Sequence, residues 1–95
     1  MVVYIYILKC ADGSYYTGIT RRELEERVGE HNSGLIKGYT SSRLPVELVF
    51  AQEFSRGDHA IGRERQIKGW SRAKKEALIA GDFEALPGLA RTAKS

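Results

Sequence analysis

Five side chains in this sequence are of types suited to acid–base and phosphate chemistry: Tyr6, Tyr16, Arg27, His31 and Glu64. The two tyrosines sit in short β-prone runs, Val3 to Cys10 and Ser14 to Thr20, broken at Asp12-Gly13. Arg27 and His31 are four positions apart in a helix-like stretch, one turn above each other on one face. Glu64 falls inside an apolar helical stripe, where a carboxylate is costly unless paired or coordinated. One resolution is an ion pair with Lys68 or Arg27. The other is a divalent cation, since Mg2+ prefers hard oxygen donors, keeps several waters and accepts a phosphate oxygen from a substrate. Both stand open at this level. So do the plain alternatives, in which the tyrosines are ordinary strand formers and His31 is a half-buried helix histidine.

Whether the phenols meet depends on the loop between the two runs. A two-residue Asp-Gly loop would pair Ala11 with Ser14 and send Tyr6 and Tyr16 to opposite faces. A three-residue loop, a type I turn followed by Gly13 in the left-handed region, pairs Cys10 with Ser14 instead. Leu8 then faces Tyr16, Tyr6 faces Gly18, and the tyrosines become diagonal neighbours about 7–8 Å apart at the backbone. Gly18 would leave room opposite Tyr6 for a ligand. The bulged hairpin is preferred because it accounts for Gly13 and Gly18 together.

The remaining elements must carry the other groups to that face. Thr20-Arg21-Arg22-Glu23 fits a capping box and predicts a helix reaching about Asn32 and closing at Ser33-Gly34. Leu24 and Val28 form its apolar stripe, with Arg27 and His31 within about 60° of Leu24. Residues 33–45 show no helical or strand period. Loops of that length are usually functional or disordered. Lys37, Tyr39 and Arg43 are its candidate substrate contacts, small and hydroxyl neighbours suiting phosphate; a plain connector is the alternative. Pro45 introduces a strand over 46–54, with Val46, Leu48 and Phe50 on one face and Glu47, Val49 and Ala51 on the other.

Ser55 to Asp58 can cap a helix over about 57–69, burying Ala60, Ile61 and Ile67 with Glu64 between them. A third helix runs from Ser71 to Gly81 and turns Ala73, Ala77 and Leu78 inward, with one last turn expected over Asp82 to Leu86. Trp70 at the corner between these helices reads as a packing residue. Arg63, Arg65, Lys68, Arg72, Lys74 and Lys75 are candidates for a track along a nucleic-acid backbone. Taken singly, each reads equally as part of a solvated surface. The expectation is one α+β domain over 1–86, a three-stranded antiparallel sheet with flanking helices, and a tail over 87–95.

Composition limits the function classes. Ninety-five residues suffice for one modest core and not for two. No run of about 18 apolar residues is present to span a membrane, and the first ten residues lack a basic segment followed by an apolar stretch, so no secretory signal is expected. A single cysteine, Cys10, can form no internal disulfide. A cytoplasmic setting is expected. The formal charge of +3 permits nucleic-acid binding without requiring it. Basic residues crowd 58–75 while the stretch 23–30 carries four glutamates, so a polarised surface is expected.

Tyr4-Ile5-Tyr6, nine intervening residues and then Tyr16-Thr17-Gly18 resemble the two half-motifs of the GIY-YIG nucleases. Tyr4 stands where that family usually has glycine, and Thr17 where it often has isoleucine or valine. Arg27, His31 and Glu64 fall at places matching the family's helix arginine, the histidine one turn later and the metal-binding glutamate. The likeness runs from Val3 to about Ile79. It is strongest to small stand-alone bacterial members, through His31-Asn32-Ser33-Gly34 and Lys68-Gly69-Trp70-Ser71-Arg72-Ala73-Lys74-Lys75.

The resemblance implies a one-metal phosphodiesterase using Mg2+ or Mn2+. Glu64 would be the metal ligand and Arg27 a phosphate clamp. Tyr6, or otherwise Tyr16, would take a proton from water, with His31 positioning the water or Tyr6. Gly18, Lys37, Tyr39, Arg43, Lys68 and Arg72 would contact substrate. Nucleic acid, DNA in the first place, is the implied partner, and a protein partner could supply specificity. A late asparagine common in the family is missing, for no asparagine follows Asn32. Ser71 is the candidate replacement. A non-catalytic nucleic-acid-binding module and a nuclease subunit needing a partner are the rival readings.

Overall fold

The computed structural model describes residues 2–82. Three strands, β1 (Val3–Lys9), β2 (Tyr15–Thr20) and β3 (Glu47–Phe54), and three helices, α1 (Leu24–Asn32), α2 (Gly57–Lys68) and α3 (Arg72–Ala80), account for the regular structure, with a short 3-10 turn at Tyr39–Ser42. The sheet is antiparallel with β1 in the middle, in the order β2-β1-β3. This is the α+β architecture expected.

The hairpin closes as the bulged form. Gly13 N–H donates to the Cys10 carbonyl at 2.9 Å and Cys10 N–H to the Ser14 carbonyl at 2.8 Å. Gly13 has φ +85°, a conformation that side-chain-bearing residues resist. The register follows, with Tyr6 opposite Gly18 and Leu8 opposite Tyr16.

Because β1 is central, its alternating residues feed two cores. Val3, Ile5 and Ile7 join Ala60 and Ile67 of α2 and Leu78 of α3 on one face. Tyr6, Leu8, Cys10 and Val46 form the other, with Leu24 and Val28 of α1 and Leu44 packed on them. A fully buried isoleucine contributes about 1.5–3 kcal/mol relative to an exposed one, so both faces hold β1 in place.

Five local expectations are corrected. The capping box is absent: α1 begins at Leu24, and Glu23 at its N-cap makes no side-chain cap bond. Thr20 still belongs to β2, and its hydroxyl accepts the Arg22 N–H at 3.0 Å, closing a turn instead of a helix. The third strand does not keep one alternation. Ile7 pairs with Phe50 but Leu8 with Leu48, so Val49 is an extra residue that transfers Phe50 to the α2 face while Val46 stays on the α1 face. Ile61 is 43% exposed instead of buried, and Ala73 is exposed on α3. At the start of α2, Arg56 occupies the N-cap without a side-chain cap bond, so neither Ser55 nor Asp58 caps it.

The third helix does start as expected, with Ser71 Oγ accepting the Lys74 N–H at 3.2 Å, and it ends at Gly81. Most of the turn expected over Asp82 to Leu86 and the tail over 87–95 lie outside the described residues. Among the described residues no helix is long and apolar enough to cross a membrane.

Candidate active site

Tyr6 is fully buried on the central strand, over Gly18. A Cβ at Gly18 would overlap the Cζ and hydroxyl of Tyr6. The room at Gly18, expected to admit a ligand, is therefore filled by the Tyr6 ring itself. That packing carries the phenol to α1, where Arg27 Nε donates to its oxygen at 3.2 Å and His31 Nε2 lies 3.0 Å away. His31 is also fully buried, and its Nδ1 is 2.8 Å from Thr40 Oγ1 in the 3-10 turn.

Tyr16 completes the group. Its ring centroid is 6.4 Å from that of Tyr6 and 5.4 Å from the His31 imidazole, which it meets edge-on. It stacks on Tyr39 at 6.1 Å, and the Arg43 guanidinium covers Tyr39 with its carbon 3.8 Å from the ring centre. Unlike Tyr6, Tyr16 keeps part of its surface in solvent.

Burial sets the protonation states. It pushes the Tyr6 phenol above its ordinary value of 10.0, against the opposing pull of Arg27. Burial and then the Arg27 charge hold His31 below 6.5, so the imidazole is neutral at pH 7. Arg27 is held further into its charged form, first by the bond to Tyr6 and also by Glu30. Glu30 Oε1 accepts from Arg27 Nη1 at 3.2 Å, and the same carboxylate pairs with Arg22.

Glu64 is 9% exposed on α2 and pairs with Lys68, Oε2 to Nζ 2.7 Å. Of the two ion pairs open from sequence, the structure forms the one with Lys68; Arg27 goes to Glu30. The Lys68 ammonium is held above its usual range chiefly by Glu64, with smaller contributions from the Tyr16 and Tyr6 phenols. Among the described residues no three His, Cys, Asp or Glu side chains cluster as a ready-made metal cage. A single buried carboxylate suits Mg2+, which uses one or two carboxylates with waters and substrate phosphate, so the residues present fit that ion.

The other expected substrate contacts divide. Lys68 stands beside Glu64, and Lys37 is exposed on the loop. Arg43 is engaged internally: its Nε donates to Asp12 Oδ2 at 3.0 Å and its Nη1 to the Tyr39 carbonyl at 2.7 Å. Arg72 lies 4.7 Å over Tyr15 and pairs with Glu76. Tyr15 packs on the α2 side of the sheet, so Arg72 is not brought to the tyrosine pair. Trp70 holds Lys74 at 3.7 Å and Arg63 at 5.0 Å from its ring centre, a packing and cation-holding role. Ser71, the candidate replacement for the missing asparagine, spends its hydroxyl capping α3.

Three contributors give little or no signal in the sequence. Thr40 has no periodic context, being one hydroxyl among several in a loop. Glu30 is one member of a charged run. Asn32 clamps the start of β3, its Oδ1 accepting the Val46 N–H at 2.7 Å and its Nδ2 donating to the Val46 carbonyl at 3.0 Å. Its one signal is the family-like segment around it.

The model of the GIY-YIG catalytic domain matches residues 2–77. A UPF0213 protein of Natronomonas pharaonis is 48% identical over 79 residues, covering 83% of this chain and 92% of that protein. One from Staphylococcus saprophyticus is 47% identical over 76 residues, 80% of this chain and 92% of the relative. The solution structure of a UPF0213 protein from Bacillus halodurans is 39% identical, covers 97% of this chain and all of its own, and superposes with a TM-score of 0.56. A solution structure from E. faecalis, 31% identical and matched over 100% of this chain and 95% of its own, gives 0.60.

Proposed function

This chain belongs to the GIY-YIG catalytic-domain family, and from that premise we propose that it is a metal-dependent endonuclease hydrolysing phosphodiester bonds, with DNA as the favoured substrate. The observation that supports this most directly is the convergence of Tyr6, Tyr16, Arg27 and His31 from three separate elements onto one face of the sheet. Packing alone would not require a guanidinium and a neutral imidazole on one enclosed phenol.

Glu64 would hold the Mg2+ or Mn2+ through its carboxylate, sharing it with Lys68. The ion, when bound, supplies Lewis-acid stabilisation of charge on the phosphate and leaving oxygen. Arg27 clamps the phosphate as charge builds. The resemblance puts Tyr6 first for taking the water proton, but its hydroxyl is enclosed and spent on Arg27 and His31. The role passes to Tyr16, the partly exposed phenol. Tyr16 would first give its own proton to solvent; the water oxygen then bonds to phosphorus as its proton passes to the phenolate oxygen. The opposite P–O bond breaks with its electron pair on the leaving oxygen.

Glu64→Gln and Tyr16→Phe proteins should each lose cleavage of plasmid, branched or single-stranded DNA in Mg2+ or Mn2+, by about a hundredfold or more, while melting near the parent temperature. Undiminished cleavage by the Glu64→Gln protein would remove the metal role. The Glu64–Lys68 pair and the missing late asparagine favour a second reading, a binding module without catalysis. On that reading salt-sensitive binding survives both substitutions, and the parent protein cuts no substrate with either metal.

A further inference from the structure

The geometry points to Thr40 as a positioning residue that, through His31 and Tyr6, sets the orientation of Arg27, with an Arg43–Asp12 clasp holding Thr40 in place. The inference rests on the nuclease reading only for its activity readout.

The direction of the hydrogen-bond string follows from what each group can do. A guanidinium only donates, so the 3.2 Å contact is Arg27 Nε–H to the Tyr6 oxygen. The Tyr6 proton then needs an acceptor in a place closed to solvent, and His31 Nε2 at 3.0 Å provides it. Burial and Arg27 keep the imidazole neutral, and a neutral imidazole has one donor and one acceptor. With Nε2 accepting, Nδ1 carries the hydrogen and donates to Thr40 Oγ1 at 2.8 Å. Every donor in the string points from Arg27 towards Thr40. Without the Thr40 oxygen a buried N–H would be orphaned, a state proteins avoid. The imidazole would turn to the other tautomer and donate to Tyr6, and the Tyr6 oxygen would no longer be reserved for Arg27.

Thr40 itself belongs to a loop, yet it is only 2% exposed. Arg43 fastens its turn from both sides. The Arg43 N–H donates to the Thr40 carbonyl at 2.9 Å, and its side chain holds the Tyr39 carbonyl. The same side chain bonds Asp12 at the hairpin tip, and the Arg43 carbonyl accepts the Ala11 N–H at 2.9 Å. Asp12 is fixed in turn by Ser14. Arg43 therefore acts here through Thr40, and its charge is engaged inside the protein.

The test is nitrogen-15 NMR of the full chain with labelled histidine, which reads the tautomer of His31 directly. The parent should show Nδ1–H. Thr40→Val, matched in shape but without the hydroxyl, should move His31 to Nε2–H and lower kcat on DNA about tenfold; Thr40→Ser should restore both, to within about twofold in rate. Should Thr40→Val fold poorly, Asp12→Ala on the surface loosens the turn, and mixed His31 tautomers are then expected. An Nε2–H tautomer in the parent, or an unchanged tautomer in both Thr40→Val and Asp12→Ala, overturns the inference whether or not DNA is cut. If the tautomer moves as described and even the parent cuts nothing, the string stands and the nuclease reading falls.

Discussion

Gly18 shows how closely packing and chemistry are joined in this protein. Its missing side chain leaves room for the Tyr6 ring beside Gly18, from where the phenol reaches Arg27 and His31. Gly18→Ala puts a methyl group where that ring lies, and a fully buried ring has little room to yield. Overpacking of this kind costs about 1–3 kcal/mol. The expected result is a lower melting temperature together with loss of cleavage, and an unaffected cleavage rate in Gly18→Ala would show that the Tyr6 position is immaterial to catalysis. His31 makes a second prediction. Its folded pKa is depressed below 6.5 by burial and Arg27, so the unfolded chain binds the proton more readily. The stability due to its neutral form is complete above about pH 6.5 and is lost as pH falls towards the depressed value. Thermal melts between pH 7 and pH 5 should show a steeper decline for the parent than for His31→Gln. Parallel curves would mean that His31 is not buried neutral.

At the scale of elements, β2 carries an anomaly that can be removed. Thr17 is 3% exposed and, among the described residues, its hydroxyl has no hydrogen-bond partner. An orphaned buried hydroxyl is a liability, whereas an apolar group of the same shape is not. Thr17→Val should stabilise the domain by about 1 kcal/mol, seen as a rise of about 4–8 °C in a domain of this size; a fall in melting temperature would reveal an ordered water or another partner at that oxygen.

The elements also show what a sequence can disclose. The hairpin register is readable because Gly13 and Gly18 each constrain the backbone locally, and the end of α1 at Ser33-Gly34 is readable for the same reason. The α1 start is not, since Thr20 remains bound in a strand and serves a turn, which no local pattern of Thr and Glu reveals. The β3 bulge depends on pairing with β1, a partner distant in the chain. Arg27 and His31 can be placed by helical angle and Glu64 by its position in a stripe. Thr40 and the internal engagement of Arg43 cannot, because a loop has no period and its contacts are decided by what it folds onto.

The whole molecule distributes charge unevenly. Glutamates cluster on and before α1, while Arg63, Arg65, Lys68, Arg72, Lys74 and Lys75 lie on or beside α2 and α3. Several of these cations are already engaged, Lys68 with Glu64, Arg72 with Glu76 and Lys74 on Trp70. Arg65 is exposed and Lys75 partly so, and they are the sharpest test of a backbone track. If they neutralise phosphates, the double change Arg65→Glu and Lys75→Glu should weaken DNA binding and flatten the log affinity–log salt slope by roughly 0.7–0.9 for each phosphate no longer neutralised. An unaltered slope would place the nucleic acid elsewhere.

The middle position of β1 has a further consequence. Tyr6 hangs from the one strand gripped by both cores, so no partial opening of the domain can release it while the remainder stays folded. Thr40 is mounted on the opposite kind of support, a loop tied down by a handful of polar contacts. One half of the site should therefore share the lifetime of the native state, and the other half should breathe far more often, leaving Arg27 between a fixed anchor and a yielding one.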